Sequence, residues 1–149
     1  MTKVLQICGE VVLFDDAGSV EHSVMAIPST NARHQLGRHG EELAAQHFER
    51  LGFTVVARNH RTRHGELDLV AFDGTVLVFV EVKTRRKGSG SPWESLHLRK
   101  RAQVRRMATA YLNQVPERPR GRTLRFDAVG VILDADGKLA GLEHLEGAF

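Results

Sequence analysis

Residues 65–85 read GELDLVAFDGTVLVFVEVKTR, and this stretch decides the fold. It holds two runs rich in β-branched and aromatic residues, 66–72 and 75–84, on either side of Asp73-Gly74. An Asp-Gly pair between such runs favours a two-residue hairpin turn. The sequence therefore predicts a β-hairpin with a strongly hydrophobic character.

The predicted register of this hairpin pairs Glu66 with Glu81 and Asp68 with Phe79. Because side chains alternate along a strand, the three acids and Lys83 would share one face. The opposite face would be entirely apolar, with Leu67, Leu69, Ala71, Val76, Val78, Val80 and Val82. The pattern thus brings three carboxylates and a lysine together at one end of the hairpin.

This cluster needs electrostatic compensation. Like charges that face each other across a sheet are unfavourable, and buried carboxylates are costly without a partner. Lys83, protonation of one acid, or a divalent cation could each supply it. Converging carboxylate oxygens suit Mg²⁺ or Mn²⁺, and such a cation beside a lysine suits attack on a phosphodiester. The alternative is a solvated surface network in which Lys83 pairs with Glu81 or Glu66.

Helices and strands alternate outside the hairpin. Apolar residues at helical spacing (Leu36, Leu43, Ala44, Phe48 and Leu51), with Gly52 behind them, predict a helix over 36–51. In chain order there follow a short strand over 53–57, a basic turn over 58–65, a Gly/Ser loop over 87–92, a helix that ends near Gln114, and strands over 124–133 and 139–145. This order is typical of a mixed α/β fold.

Composition excludes several classes of protein. The chain has 149 residues, of which 42% are hydrophobic and 26% charged, as expected for one globular domain. No apolar run approaches the roughly 18 residues of a membrane span, and the start lacks the pattern of a signal peptide. Cys8 is the single cysteine, so no internal disulfide can form and a cytoplasmic location is expected.

Residues 1–32 differ from the rest, because they carry four acids against Lys3 alone. We interpret them as an N-terminal extension to a domain over 33–149. Two alternatives stay open for this extension. Residues 11–14 and 20–27 could form a hairpin around an Asp/Gly turn, or the true start could be Met25, with an upstream stretch that results from gene calling.

The charge between residues 83 and 106 is strongly basic, with Glu94 as its one acid. Its basic residues are Lys83, Arg85, Arg86, Lys87, Arg99, Lys100, Arg101, Arg105 and Arg106. Such a stripe attracts polyanions, nucleic acid first and anionic membranes second. The alternative is an ordinary solvated helix face.

The hairpin also resembles a known motif. Glu66-Leu67-Asp68, then twelve residues, then Glu81-Val82-Lys83 matches the Asp…(Asp/Glu)-x-Lys pattern of the restriction-endonuclease-like nuclease superfamily. More specifically, the chain from about residue 35 resembles the YraN-like family of small uncharacterised predicted endonucleases. The further residues that carry this likeness are Gly40-Glu41, Arg125-Phe126-Asp127 and Ala148-Phe149.

The resemblance implies a restriction-endonuclease-like core, with a mixed central sheet flanked by helices. It implies a metal-dependent nuclease that hydrolyses phosphodiester bonds in DNA, branched or structured DNA included. Asp68 and Glu81 match the metal-binding acids, joined by Glu41 and the backbone carbonyl of Val82, and Lys83 matches the lysine that orients or activates water. The ion would be Mg²⁺ or Mn²⁺. Glu41 could instead only favour the dipole of its helix.

Basic side chains near these residues are expected to hold phosphates without reading sequence. They are Arg58, Arg61, Arg63, Arg85, Arg86, Lys87 and Lys100. The expected partner is nucleic acid, with DNA favoured over RNA and no membrane, and a homodimer is allowed by the dimeric junction-cleaving relatives of the superfamily. Asp127 is open to a catalytic or a structural role. The alternative functions are a non-catalytic nucleic-acid-binding module and a module that docks an acidic protein.

Overall fold

The computed structural model describes residues 3–7, 10–14, 20–21 and 29–149. The chain divides into two compact units, Met1–His34 and Gln35–Phe149. In the first unit, β1 (Lys3–Ile7), β2 (Glu10–Phe14) and β3 (Val20–Glu21) form an antiparallel sheet in that order.

The N-terminal hairpin over residues 11–14 and 20–27 stays a prediction. Phe14 of β2 pairs with Val20 of β3, whereas strand β1 was not predicted. The predicted turn and residues 22–27 of the second arm lie outside the described residues. The alternative start at Met25 stays a prediction.

The second unit is built on a five-stranded sheet. Its strands are β4 (Thr54–Thr62), β5 (Gly65–Phe72), β6 (Val76–Arg86), β7 (Thr123–Leu133) and β8 (Leu139–Leu145), in the spatial order β4-β5-β6-β7-β8. Strands β6 and β7 are parallel and all other pairs antiparallel. The helices are α1 (Ser29–Arg50) and α2 (Leu98–Gln114), and a 3₁₀ turn covers Pro92–Ser95. The predicted α/β class with a mixed sheet is confirmed.

Each face of the sheet packs against one helix. Ala44, Ala45 and Phe48 of α1 cover one face, on which alternate residues of β5, β6 and β7 are buried. Val104, Met107, Ala108 and Tyr111 of α2 cover the other face. Strand β6 is therefore buried on both sides, which explains its uninterrupted apolar run.

The predicted hairpin register is wrong by two residues. Phe72 pairs with Leu77 and Val70 with Phe79, so four residues, 73–76, lie between the first paired positions. The cause is Asp73, whose Oδ1 accepts the backbone N–H groups of residues 75 and 76 at 2.8 and 2.7 Å and forms a wider turn. Because the shift is an even number of residues, the paired residues 69–72 and 77–80 keep their predicted faces and change only their partners.

Two other local predictions need correction. The basic turn predicted over 58–65 is mostly strand, because β4 continues to Thr62 and leaves only Arg63-His64 as a turn. Leu51, predicted on the inner face of the first helix, is 51% exposed, because α1 ends at Arg50 and Leu51 follows it. Gly52 has φ 89° and ends the helix as predicted.

Candidate active site

The site begins where β5 and β6 separate. Their ladder ends at the Leu69–Val80 pair, although β6 runs on to Arg86 beside β7. Leu67 packs on the α2 side of the sheet and Leu69 on the α1 side, so the predicted placement of both on one face is wrong. The alternation is broken at Asp68, which lies between them. Its carboxylate accepts the backbone N–H of Val82 at 2.7 Å, where the ladder itself no longer reaches.

Glu81 is the buried centre of the cluster, with 3% of its surface exposed. Its Oε1 contacts two ammonium groups, Lys83 Nζ at 2.7 Å and Lys100 Nζ at 2.8 Å. Lys83 is on the same strand, whereas Lys100 comes from the first turn of α2. Two cations on one oxygen compensate a carboxylate that burial would otherwise make costly.

Glu41 reaches the site because α1 approaches β6 very closely. Gly40 is buried, and a Cβ at that position would overlap the side chain of Thr84. Only glycine allows this approach. The close approach therefore gives a physical reason why a glycine stands directly before Glu41 in the sequence. The Glu41 carboxylate then accepts Asn59 Nδ2 at 2.7 Å, and Asn59 itself has a left-handed backbone, with φ 47°.

Asp68 is an acid of the cluster whose surroundings disfavour its charged form. Burial raises the pKa of Asp68 to about 7, and the charges of Glu81 and Glu41 act in the same direction. The Val82 N–H and the Lys83 ammonium oppose that rise of the pKa. Near neutral pH, Asp68 is therefore balanced between its protonated and ionised forms.

The chemistry of these donors fits a hard divalent cation. Asp68, Glu81 and Glu41 offer carboxylate oxygens, and a cation beside Asp68 would counteract the rise of its pKa that burial and the neighbouring acids cause. Their present arrangement is not a closed cage: in the part of the chain described, no three Asp, Glu, His or Cys side chains are grouped closely enough to hold an ion. Instead, Asn59 donates a hydrogen bond to Glu41, and the two lysines contact Glu81.

The structure separates the predicted phosphate contacts into three groups. Lys100 lies inside the site, on Glu81. Arg58 is tied to Glu42 at 2.6 Å, and the Arg85 guanidinium lies against the carbonyl of Thr84. Exposed cations remain at Arg61 (which also pairs with Glu66 at 3.3 Å), Arg63, Arg86 and Lys87. Glu66, the third acid of the predicted cluster, is thereby directed to Arg61 rather than to Glu81.

Sequence reasoning missed three partners of the site. Lys100 was expected to face substrate, and Asn59 carried no signal, because its contact with Glu41 depends on the close packing of α1. Gln103 of α2 donates to the carbonyl of His64 at 2.9 Å and holds the β4–β5 turn. Lys100, Gln103 and Met107 follow helical spacing, so their common face was the signal that could have been used.

Asp127 has a structural surrounding. It is fully buried and accepts hydrogen bonds from Arg125, His144 and the backbone of Gly147. His144 in turn lies 3.0 Å from a ring nitrogen of His47. This network joins β7, β8 and α1, so the contacts of Asp127 support the structural alternative.

Fold and site together define an α/β protein compatible with a restriction-endonuclease-like core, with an Asp-Glu-Lys cluster where two central strands separate. Comparison of the sequence gives the family. The chain belongs to uncharacterised protein family UPF0102, the YraN-like family, whose pattern matches residues 40–131. The resemblance seen in the sequence is confirmed, and the match begins at the glycine that α1 needs for its approach to β6.

Relatives cover most of the chain. A UPF0102 protein of Acidothermus cellulolyticus is 47% identical over 131 residues, which are 81% of this chain and 98% of the relative. Similar proteins of Pelotomaculum thermopropionicum and Frankia alni are each 45% identical, over 80% and 79% of this chain and 98% and 97% of their own lengths. Among the helices in the described residues, none has the length and apolar character needed to cross a membrane.

Proposed function

We propose that this protein is a metal-dependent nuclease that hydrolyses phosphodiester bonds in DNA, with branched or structured DNA as its substrate class. One observation carries the proposal: buried Glu81 holds Lys83 at 2.7 Å beside Asp68, where the strands β5 and β6 separate. A buried acid with a lysine and a second acid of raised pKa is an arrangement typical of catalytic sites.

Each residue of the cluster has a role in this proposal. Asp68, Glu81, Glu41 and the carbonyl of Val82 would hold Mg²⁺ or Mn²⁺. The bound ion supplies Lewis-acid stabilisation of the charge that develops on the phosphate. Lys83, compact and held by Glu81, donates hydrogen bonds that position the attacking water and neutralise a phosphate oxygen.

The exposed cations give the substrate its position. Arg61, Arg63, Arg86 and Lys87 extend into solvent at the ends of β4 and β6 and contact phosphates of any sequence. Because several such contacts can form along one polyanion, they would favour nucleic acid over small phosphodiesters. The single cysteine fits a reducing cytoplasm as the place of action.

A non-catalytic nucleic-acid-binding module is the second candidate. The observation in its favour is that two ammonium groups already neutralise Glu81. Such a module would bind DNA through the same exposed cations and would need neither metal nor Lys83.

The test is incubation of the protein with labelled duplex, single-stranded and branched DNA and with RNA, in the presence of Mg²⁺ or Mn²⁺. Cleavage should be lost in Asp68→Ala and in Glu81→Ala. The matched control is Glu66→Gln, because Glu66 is an exposed acid of the same strand that pairs with Arg61. Cleavage that survives in purified Asp68→Ala would contradict the proposal, and binding without any cleavage by the wild type would favour the second candidate.

A further inference from the structure

The contact between Lys100 and Glu81 joins two distant elements at the centre of the site. Lys100 Nζ lies 2.8 Å from Glu81 Oε1, and the side chains are only 20% and 4% exposed. Lys83 Nζ is on the same oxygen, at 2.7 Å. Two ammonium groups on one oxygen repel each other, so one of them can leave at lower cost than from a simple pair.

The position of Lys100 in its helix is unfavourable for a cation. Helix α2 begins at Leu98, and the side chain of His97 gives it no N-terminal cap. Its first turn contains no acid. The N-terminal end of a helix carries a partial positive charge, which disfavours a cation there. The ion pair with the Glu81 carboxylate therefore holds the Lys100 ammonium in the site.

The charges of the cluster show what a divalent cation would change. Counted with Glu41, Asp68 and Glu81 all ionised, the state that a bound cation would favour, the three carboxylates exceed the two ammonium groups by one negative charge. An added divalent cation would turn this into an excess of one positive charge, and departure of one ammonium would restore neutrality. Lys83 is two residues from Glu81 on the same strand, so it cannot withdraw far, whereas Lys100 belongs to another element.

We propose that Lys100 is a positioning residue that occupies Glu81 in the metal-free protein and is displaced when Mg²⁺ or Mn²⁺ binds, which frees its ammonium for a substrate phosphate. This inference rests on the proposed nuclease function. It makes metal binding and phosphate binding cooperative, because the ion releases the cation that the phosphate then uses.

The first test measures metal binding alone. Mn²⁺ is titrated into the metal-free chain of 149 residues at pH 8, and free Mn²⁺ is followed by electron paramagnetic resonance. Lys100→Met should bind Mn²⁺ about tenfold more tightly than the wild type, because a cation in direct contact with a ligand oxygen is removed. Lys100→Arg, which keeps the charge, should stay near the wild-type affinity.

The control is Lys138→Met, the same chemical change at an exposed position in the turn between β7 and β8. Its Mn²⁺ affinity should change by less than about twofold, because exposed charges are screened by solvent and salt. Circular dichroism melting of each variant establishes that it is folded. Lys100→Gln repeats the test should Lys100→Met fail to fold.

The second test measures DNA binding in EDTA. Because Glu81 retains Lys100 in the metal-free protein, Lys100→Met should leave the slope of log K against log[salt] unchanged, whereas loss of one phosphate contact lowers it by about one. A lower slope in Lys100→Met would show that Lys100 already contacts phosphate, which overturns the inference.

The remaining outcomes separate the inference from the function on which it rests. If the wild type binds Mn²⁺ and Lys100→Met binds it no more tightly, the inference is wrong and the nuclease proposal stands. If the wild type binds no Mn²⁺ at all, the metal-dependent function fails and the inference fails with it.

Discussion

At the scale of single residues, the site is governed by how charge is compensated away from water. Glu81 contacts two lysine ammonium groups and Glu41 accepts a hydrogen bond from the neutral amide of Asn59, whereas Asp68 accepts one from a backbone N–H and forms no ion pair among the described residues. The three acids therefore differ although they are chemically alike. Burial, together with the charges of Glu81 and Glu41, raises the pKa of Asp68.

Asp68 should make the metal-free protein less stable as pH rises. The pKa of Asp68 is about 7 in the folded chain and about 3.9 when unfolded, so between these values the folded state binds more protons. Stability contributed by the protonated form is complete below pH 4 and is lost as pH rises toward 7. Asp68→Asn removes this dependence and should be more stable than the wild type at pH 8, by up to a few kcal/mol, with no gain at pH 4.

Urea unfolding in EDTA from pH 4 to pH 8 measures this effect. The quantity compared is the difference in the free energy of unfolding between Asp68→Asn and the wild type, because the titrations of other groups cancel in this difference. Glu66→Gln is the control and should follow the wild type, because Glu66 is exposed. A constant difference at every pH would show that the pKa of Asp68 is not raised in the folded chain.

Lys83 should be needed for cleavage and not for binding. Lys83→Ala is expected to lower single-turnover cleavage by at least about 100-fold, the size of effect typical of a group that assists proton transfer or orients water. Lys83→Arg should not restore the rate, because a planar guanidinium cannot replace a compact ammonium beside Glu81 and does not release a proton near neutral pH. Equilibrium binding of DNA should change little in both variants. A near-wild-type rate in Lys83→Arg would reduce Lys83 to an electrostatic role.

At the scale of elements, the site depends on two departures from regular structure. Strands β5 and β6 separate after the Leu69–Val80 pair, which lets Asp68 turn toward Val82. Helix α1 passes so close to β6 that position 40 has no room for a side chain. Both departures bring polar groups to a place that the apolar faces of the sheet would otherwise occupy.

Gly40→Ala should therefore destabilise the protein, by about 2 kcal/mol, the range found when a methyl group is forced into a packed interface. Gly37→Ala is the matched control in the same helix, because a Cβ there meets nothing within 4 Å. It should be neutral or stabilise by up to about 1 kcal/mol, since alanine is the better helix former. Urea denaturation compares the two, and partial rescue of Gly40→Ala by Thr84→Ala would assign the cost to that contact. Equal effects at 37 and 40 would contradict the close approach.

At the scale of the whole molecule, acids and bases are unevenly distributed along the sequence. The net charge is only +3, yet Glu81 is buried and Glu41 and Asp68 are half-buried, while exposed cations project from the ends of β4 and β6. An anionic polymer would meet these cations first, at long range, and the acids of the site last. In the proposed nuclease, the exposed cations would thus supply the affinity for DNA, and the acids of the site would supply the catalytic chemistry.

Affinity for DNA should fall steeply with salt, and the double variant Arg86→Gln/Lys87→Gln should lower the log–log slope by about two. Both side chains are exposed, so each is free to contact a phosphate. Lys138→Gln, an exposed lysine in the turn between β7 and β8, is the control and should keep the wild-type slope. Fluorescence anisotropy between about 50 and 200 mM salt gives the slopes, and an unchanged value in the double variant would show that these cations are only a solvated surface.

The sequence by itself determined what depends on neighbours along the chain. The hairpin, the faces of β6, the end of α1 just before Gly52 and the spacing of Glu81 and Lys83 follow from periodicity and turn chemistry, which act over a few residues. The motif that identified the family is local in the same way.

Only the tertiary structure decided the partners of these residues. The separation of β5 from β6 turned Asp68 toward Val82, and packing of α2 carried Lys100 from the expected surface onto Glu81. Arg58 likewise pairs with Glu42 of α1. The reason is that a buried charge takes whichever opposite charge the packed elements bring within reach, and that choice depends on contacts between segments far apart in the sequence.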